Sequence, residues 1–229
     1  MFSVIFEVHP AEGKKDEYLA HAKELKPILE SIEGFIDNER FESRLRPGWV
    51  LSHSTWRDEK SLIRWRTQMK HHFVQEKGRF GVFSDYHLRV GQIIADDAPP
   101  DGMAVRDQRL DTTEIGEAKA CSLIELSPDE KGGLPKDASV VFSAIVLDQG
   151  DRRLVGHDIY DSIYNPGKVA VLASWREEGD AMSFLAKMPP GAKTVRQRAV
   201  RIIRDYGMFD RHETPQYYAE VKRDGSKAA

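Results

Sequence analysis

The sequence predicts an α+β protein in which one βαββαβ unit is written twice and the two sheets pack face to face as an α+β barrel. Three observations predict it. The stretch from Phe41 to Arg57 returns from Tyr160 to Arg176 at a constant offset of 119 residues, with the aromatic, Ser, Pro-Gly and Trp-Arg positions in register. Around each copy, apolar residues recur first at period two and then at helical spacing, in the order strand, helix, two strands, helix, strand. The length of 229 residues, with 40% hydrophobic and 31% charged side chains, suits two domains of about 115 residues, each able to bury a core.

In the first copy, residues 4–8 read as a strand. Residues 14–32 read as a helix with Tyr18, Ala22, Leu25, Leu29 and Ile32 on one stripe, and Pro27 is expected to kink it. Gly34 ends this helix. Residues 35–43 and 49–56 form a hairpin around Pro47-Gly48, where Pro fixes φ and Gly accepts the positive φ of a tight turn. Asp58 is the N-cap of a second helix over residues 59–76, because Leu62, Trp65, Met69 and His72 or Phe73 recur at helical spacing. Gly78 closes it. Residues 83–93 alternate Tyr86, Leu88 and Val90 with Asp85, His87 and Arg89, the pattern of a last strand.

Residues 97–116, with Pro99-Pro100 and Asp101-Gly102, read as a linker. The order then repeats as strand 121–126, a reduced helix 137–147, hairpin strands 155–164 and 169–175, helix 180–187 and strand 200–204. Phe184 stands where Trp65 stands in the first copy, and Pro189-Pro190-Gly191 interrupts the second helix. The expected domains are thus 1–96, a linker 97–116, a degraded copy 117–210 and a polar tail 211–229 carrying Tyr217 and Tyr218. A βαββαβ unit is a four-stranded antiparallel sheet with helices on one face, the ferredoxin-like arrangement, so its other face needs a cover. Tandem ferredoxin-like units supply one, within one chain or exchanged between two chains of a homodimer.

Composition excludes several classes of function. Lys plus Arg number 34 against 37 Asp plus Glu, which removes a general electrostatic case for nucleic acid or an anionic membrane. No segment is long and apolar enough to span a bilayer, and the first residues lack the basic start of a secretory signal, so a cytoplasmic protein is expected. The single cysteine, Cys121, excludes an internal disulfide and reads as a small buried residue. The eight histidines form no H-x-x-x-H or H-E-x-x-H spacing, so no metal site is expected.

Phe6-Glu7-Val8 followed by Gly13-Lys14, then Gly34-Phe35, Glu39-Arg40-Phe41-Glu42-Ser43, Pro47-Gly48, Trp56-Arg57-Asp58-Glu59, Trp65-Arg66, His71, Gly78-Arg79, Phe83 and Asp85-Tyr86 carry a resemblance. On these residues the first unit resembles the antibiotic biosynthesis monooxygenase (ABM) domains of the dimeric α+β barrel superfamily, over residues 4–93. Residues 118–210 join it only through the hairpin and the last strand. The superfamily also includes haem-degrading enzymes, isomerases and proteins of no known activity. The resemblance implies oxidation of a small aromatic, phenolic or quinol-type substrate by O₂ with no cofactor. Such a reaction needs a dry pocket, a group that takes the acidic proton and donors for the developing oxyanion.

His71 lies six residues after Trp65, where the family has a histidine, and is the candidate base; the alternative is a cap on the helix C-terminus. Trp65 is a pocket wall or core. Met69 and His72 share its helical face, and Phe73 is a further wall. Asn38 and Arg40, alternating with Asp37 and Glu39, are a solvated strand face or polar pocket contacts, with Asn38 as the polar orienter; Tyr86 is a phenolic donor, and His53 a strand residue facing either the barrel interior or the helices. The expected catalytic set is therefore His71, Trp65, Asn38 and Tyr86, with Phe73, Met69, His72 and His53 contacting substrate. Two alternatives stand beside this reading. One is haem binding or degradation, against which Val4 occupies the place of the haem-degrading members' Asn, and Val74 or Gln75 that of their axial His. The other is a non-catalytic ligand-binding or dimerising module.

Overall fold

Eight antiparallel strands close into one barrel in the computed structural model, which describes residues 1–129 and 133–222. They are β1 (Phe2–Pro10), β2 (Phe35–Ser43), β3 (Val50–Trp56), β4 (Phe83–Asp96), β5 (Ala120–Pro128), β6 (Leu154–Ser162), β7 (Val169–Trp175) and β8 (Ala192–Gly207). Their order around the barrel is β1-β3-β2-β6-β7-β5-β8-β4, so each copy keeps its four strands together. The two sheets also join at both edges. β2 pairs with β6 through Phe41 and Ser162, and β4 pairs with β8 along most of its length. Closure gives every strand a neighbour on both sides, though β2 and β6 pair only through Phe41–Ser43 and Tyr160–Ser162. At Gly91 the β4–β8 pairing is irregular, and an added Cβ would lie 2.4 Å from the Arg201 carbonyl oxygen, so only glycine lets the strands approach there.

Strand alternation sorts the side chains into three layers. Ile5, Leu51, Phe41, Leu123, Tyr160 and Leu172 fill the barrel interior. Charged groups share that interior: Glu7 pairs with Arg89 and Arg46, and Lys168 bridges Glu39 and Glu125. Helices cover the outside of each half. Helix α1 (Lys15–Ser31) buries Tyr18, Ala22, Leu25 and Leu29 against the first sheet, the stripe its spacing predicts, with Pro27 inside it. On the second half, α4 (Ala138–Ala144) and α5 (Glu178–Ser183) enclose a filled core of Val141, Phe142, Ile145, Trp175 and Ala181.

Three expectations are corrected. The helix expected over residues 59–76 is two helices, α2 (Glu59–Arg66) and α3 (Met69–Lys77). Asp58 does cap α2, its carboxylate accepting from the Ser61 N–H at 2.8 Å. At the break, the Thr67 hydroxyl donates to the Ile63 carbonyl and the Gln68 side chain accepts from the His71 N–H, so one helix ends and another is capped within two residues. Gly78 does not close α3; it is right-handed and leads into a π-helical turn, Gly78–Val82. Its reason for being glycine is packing, since a Cβ would lie 2.4 Å from the Phe83 ring. In the second copy, α5 starts and stops earlier than the expected 180–187.

The stretch between β4 and β5 has no helix or strand, yet it is not loose. Met103 and Val105 pack onto the interior cluster, and the Gln92 carboxamide oxygen accepts from the backbone N–H groups of Gln108 and Arg109. In the C-terminal stretch Tyr218 packs on the body while Tyr217 is exposed; residues 223–229 of the expected tail lie outside the described residues. No helix among the described residues is long and apolar enough to cross a membrane.

Candidate active site

A cavity of about 190 Å³ lies between the helix-facing side of the first sheet and the cover made by α1, α2, α3 and the C-terminal stretch. Val4 and Phe6 of β1, Leu88 and Val90 of β4, and Leu25, Leu29 and Leu62 of the helices give it apolar walls. Trp65, His71, Asn38 and Tyr86 also line it, so the structure brings the four residues of the expected catalytic set around one space.

The break between α2 and α3 makes this arrangement. It turns α3 back so that the His71 ring stacks on Trp65, with centroids 3.9 Å apart and planes 13° from parallel. His71 Nδ1 lies 3.0 Å from the Trp65 carbonyl oxygen. A carbonyl only accepts, so Nδ1 carries the hydrogen and Nε2 keeps its lone pair. Burial lowers the imidazole pKa to about 4, outweighing the bond to the Trp65 carbonyl, with the charges of His72 and Arg40 acting in the same direction as burial. His71 is therefore neutral at physiological pH. It is also the third residue of α3, which rules out the alternative role of a C-terminal cap.

Asn38 is held by its own strand neighbours. Its amide donates to the His53 carbonyl at 2.8 Å and to Ser52 Oγ at 3.3 Å, while its oxygen accepts from Arg40 Nη1 at 2.9 Å. Tyr86 Oη accepts from Arg79 Nη1 at 2.6 Å and from Arg211 Nη1 at 2.8 Å. With both lone pairs engaged by cations, its O–H is left to donate, and donation is strengthened by the charge on its partners.

The four residues expected to contact substrate are not in this cavity. Met69 and Phe73 are 70% and 62% exposed, because the helix break removes the spacing that would have aligned them with Trp65. His72 sits on the other side of α3, stacked on Tyr218 with its Nδ1 3.1 Å from that hydroxyl. His53 points into the barrel, bonded to Ser3 Oγ at 2.8 Å; burial, then the charges of Arg198 and Arg196, keep its pKa well below the usual range.

Sequence reasoning set Arg40 beside Asn38 as a pocket contact but passed over the guanidinium groups of Arg66, Arg79 and Arg211. Arg40, Arg66, Arg79 and Arg211 all line the cavity, and among the described residues no Asp or Glu does. Eight buried side-chain polar atoms lack a hydrogen-bond partner among the described residues, and five of them, on Tyr18, Arg40, Arg66, Arg79 and Thr214, belong to residues lining this cavity. Buried polar atoms are normally paired, so such a concentration marks where a ligand binds. Arg66 and Arg79 stand inside the motifs that carry the family resemblance, which was the available signal; Arg211 and Thr214, brought in by the C-terminal stretch, had none. A larger hollow of about 590 Å³ opens at the barrel mouth, but its charged lining is already paired: Glu7 with Arg89 and Arg46, Arg46 with Asp158, and His87 with Asp205.

Residues 1–77 match the family described as antibiotic biosynthesis monooxygenase. A protein of Pyricularia oryzae named jasmonate monooxygenase ABM is 42% identical over 222 residues, covering 95% of this chain and 98% of that protein. Among solved structures, an aldoxime dehydratase in complex with butyraldoxime superimposes with a TM-score of 0.54 at 11% identity, over 88% of this chain and 79% of that one. An anthrone oxidase-like protein gives a TM-score of 0.34 at 10% identity, over 90% and 93% of the two chains. The aldoxime dehydratase is similar to this chain in fold alone.

Proposed function

The chain belongs to the antibiotic biosynthesis monooxygenase family, and from that premise we propose that its first-half cavity binds a compact, largely apolar compound and oxidises it with O₂ without haem, flavin or metal. The observation that carries this reading is a neutral imidazole with an open Nε2, in an apolar cavity edged by hydrogen-bond donors. In this scheme His71 Nε2 takes the proton from an activated methylene or phenol. The resulting anion gives an electron to O₂ and combines with it as a carbon-bound peroxide. A second proton loss then cleaves the O–O bond, with Tyr86 Oη donating to the departing oxygen. For a methylene the balance is R₂CH₂ + O₂ → R₂C=O + H₂O; the substrate loses the four electrons that O₂ gains, and no external reductant enters.

A conjugate acid near 4 makes His71 a weak base, so the anion must be stabilised by its surroundings. The guanidinium groups around the cavity do this, acting in a low-dielectric space where charge stabilisation is strongest. Size supports the same reading. Ligand pockets for drug-sized molecules run to about 300–1,000 Å³, whereas a dry cavity of about 150 Å³ holds a benzene ring. At about 190 Å³ the cavity favours a one- or two-ring compound over a tetrapyrrole or a flavin, which supports the reading. Val74 and Gln75, in the axial place of haem-degrading members, line it as well, and neither offers the imidazole a haem iron takes there.

Jasmonate, from the relative's name, and hydroquinones, from the chemistry above, are the first compounds to test. Oxygen uptake by metal-free, colourless protein, with one O₂ consumed per ketone or quinone oxygen gained and no requirement for NAD(P)H, supports the proposal. Uptake that appears only with added reductant, flavin or haem overturns it. Tight binding without turnover across the panel also overturns it and leaves a binding module.

A further inference from the structure

We propose that the ligand of this cavity is a carboxylate and that Arg66 anchors it. The inference deepens the substrate reading above and rests on taking this cavity as the substrate site. Elsewhere in the chain most buried or half-buried arginines have acidic partners, as Arg89 with Glu7, Arg196 with Asp96 and Arg201 with Glu178, and Arg204 donates to the Glu213 carbonyl instead. Around the cavity the rule fails. Arg40, Arg66, Arg79 and Arg211 form no ion pair among the described residues, and no carboxylate faces the space they share. A cation held against apolar walls without a counter-charge is costly, so the arrangement is one that a bound anion completes.

Three of the four guanidiniums are partly engaged. Arg79 and Arg211 donate to Tyr86 Oη and to the carbonyls of Met208, Ala219 and Gln216, and Arg40 donates to Asn38 Oδ1. Among the described residues the Arg66 side chain donates to nothing, and its Nε is buried without a partner at the cavity. The Arg66 side chain is thus the free fork, and a fork of parallel N–H donors matches a carboxylate through two bonds at once. Apolar walls beyond it take the hydrocarbon part. The expected ligand is an amphipathic monocarboxylate whose reacting carbon lies away from its charged end.

Titration of intrinsic tryptophan fluorescence tests this, because Trp65 is in the cavity wall. The probes are jasmonate against methyl jasmonate, and decanoate against methyl decanoate. The acids should bind about 10- to 100-fold tighter than their esters, the range for a charge-assisted hydrogen bond. Arg66→Met should erase that preference and leave ester affinity unchanged, while Arg66→Lys should keep part of it. Equal affinity of acid and ester for the wild-type protein overturns the inference. So does a full acid preference in Arg66→Met with an unchanged circular dichroism spectrum; if that variant does not fold, retention of the whole preference in Arg66→Lys and in Arg66→Gln has the same force. Failures of the two proposals are distinct. Acid-selective binding without O₂ uptake sinks the oxidation and leaves the carboxylate, whereas O₂ uptake equally fast on acids and esters does the reverse.

Discussion

Glu7→Gln should destabilise the whole barrel by about 3 kcal/mol at neutral pH, and the reason lies in how the two halves are tied. Glu7 is 5% exposed on β1, in the barrel interior, between Phe6 and Val8. Its carboxylate pairs with Arg89 and Arg46 and accepts from Tyr160 Oη of the second half at 2.7 Å; Arg46 reaches across to Asp158 Oδ2 at 2.7 Å. Burial alone would raise the carboxyl pKa, but Arg89, Arg46 and the Tyr160 hydroxyl outweigh it and bring it from 4.5 to about 2. That difference corresponds to about 3 kcal/mol of stability. An independent route agrees: removing one partner from a buried ion pair costs about 3–5 kcal/mol, because the remaining charges are left uncompensated. Because the folded-state pKa is depressed, the contribution is complete above pH 4.5 and is lost as pH falls towards 2. Urea denaturation followed by far-ultraviolet circular dichroism, at pH 7 and at steps down to pH 3, measures both effects. Glu7→Gln should lower the neutral-pH stability and flatten the acid dependence. A variant within about 1 kcal/mol of wild type at pH 7, with the same acid slope, would refute the claim that this network fastens the halves together.

If His71 is the base, His71→Ala should lower kcat about 10²- to 10⁴-fold. The acidic limb of kcat/KM should then fall near pH 4, where the buried ring protonates, and activity should persist unchanged through pH 6.5; a limb near 6.5 would show a solvated ring instead. Exchanging Met69 or Phe73 for Ser should leave kcat/KM unaltered and stability within about 0.5 kcal/mol, as checked by steady-state kinetics and thermal melts. Gly34→Ala should cost more than about 1 kcal/mol in a urea melt, since its φ is +87° and a Cβ would fall 2.1 Å from Ser61 Oγ. Truncation after residue 210 removes Arg211, Thr214, Gln216 and Tyr218 from the cavity wall and should raise KM with little change in the circular dichroism spectrum.

The repeat made the fold legible. Pro47-Gly48 and Pro166-Gly167 place both hairpins, with φ of +82° at Gly48 and +83° at Gly167, and the strands around them follow. Helix continuity was the weak point. Leu62, Trp65, Met69 and Phe73 satisfy helical spacing whether or not the chain turns between Trp65 and Met69, because a side-chain cap such as Gln68 interrupts the backbone without disturbing the apolar count. That break decided the site: it drew His71 onto Trp65 and turned Met69 and Phe73 out to solvent. Strand parity set Asn38 and Arg40 apart from Asp37 and Glu39, and Tyr86 apart from Asp85, without saying which face meets the cavity. Arg66, Arg79 and Arg211 were not legible, since a sequence shows a guanidinium as a surface charge until packing shows that nothing opposes it.

The second copy shows what the first would be without a ligand. At the offset of 119, Arg40 corresponds to Ile159 and Trp65 to Phe184, while Leu185, in the place of Arg66, is turned out to solvent. Ile159 is wholly buried, Phe184 packs on Trp175 at 5.4 Å, and Val141, Phe142 and Ile145 fill the space beneath α4. Where the first copy continues into α3, the second has Pro189-Pro190-Gly191, which forbids a helix there and leaves no equivalent of the Trp65–His71 stack. Hydrocarbon in place of cations is the expected outcome for a half with no anion to bind, because a cavity ringed by unopposed charge destabilises the fold whenever it is unoccupied. Under the proposed reading, retention of four guanidiniums and a hollow in the first half is a cost that binding offsets. Filling that hollow from within, by Val90→Phe together with Arg66→Leu, should stabilise the free protein in a urea melt while abolishing binding; a loss of stability would mean that the arginines are structural and that the cavity has no ligand to wait for.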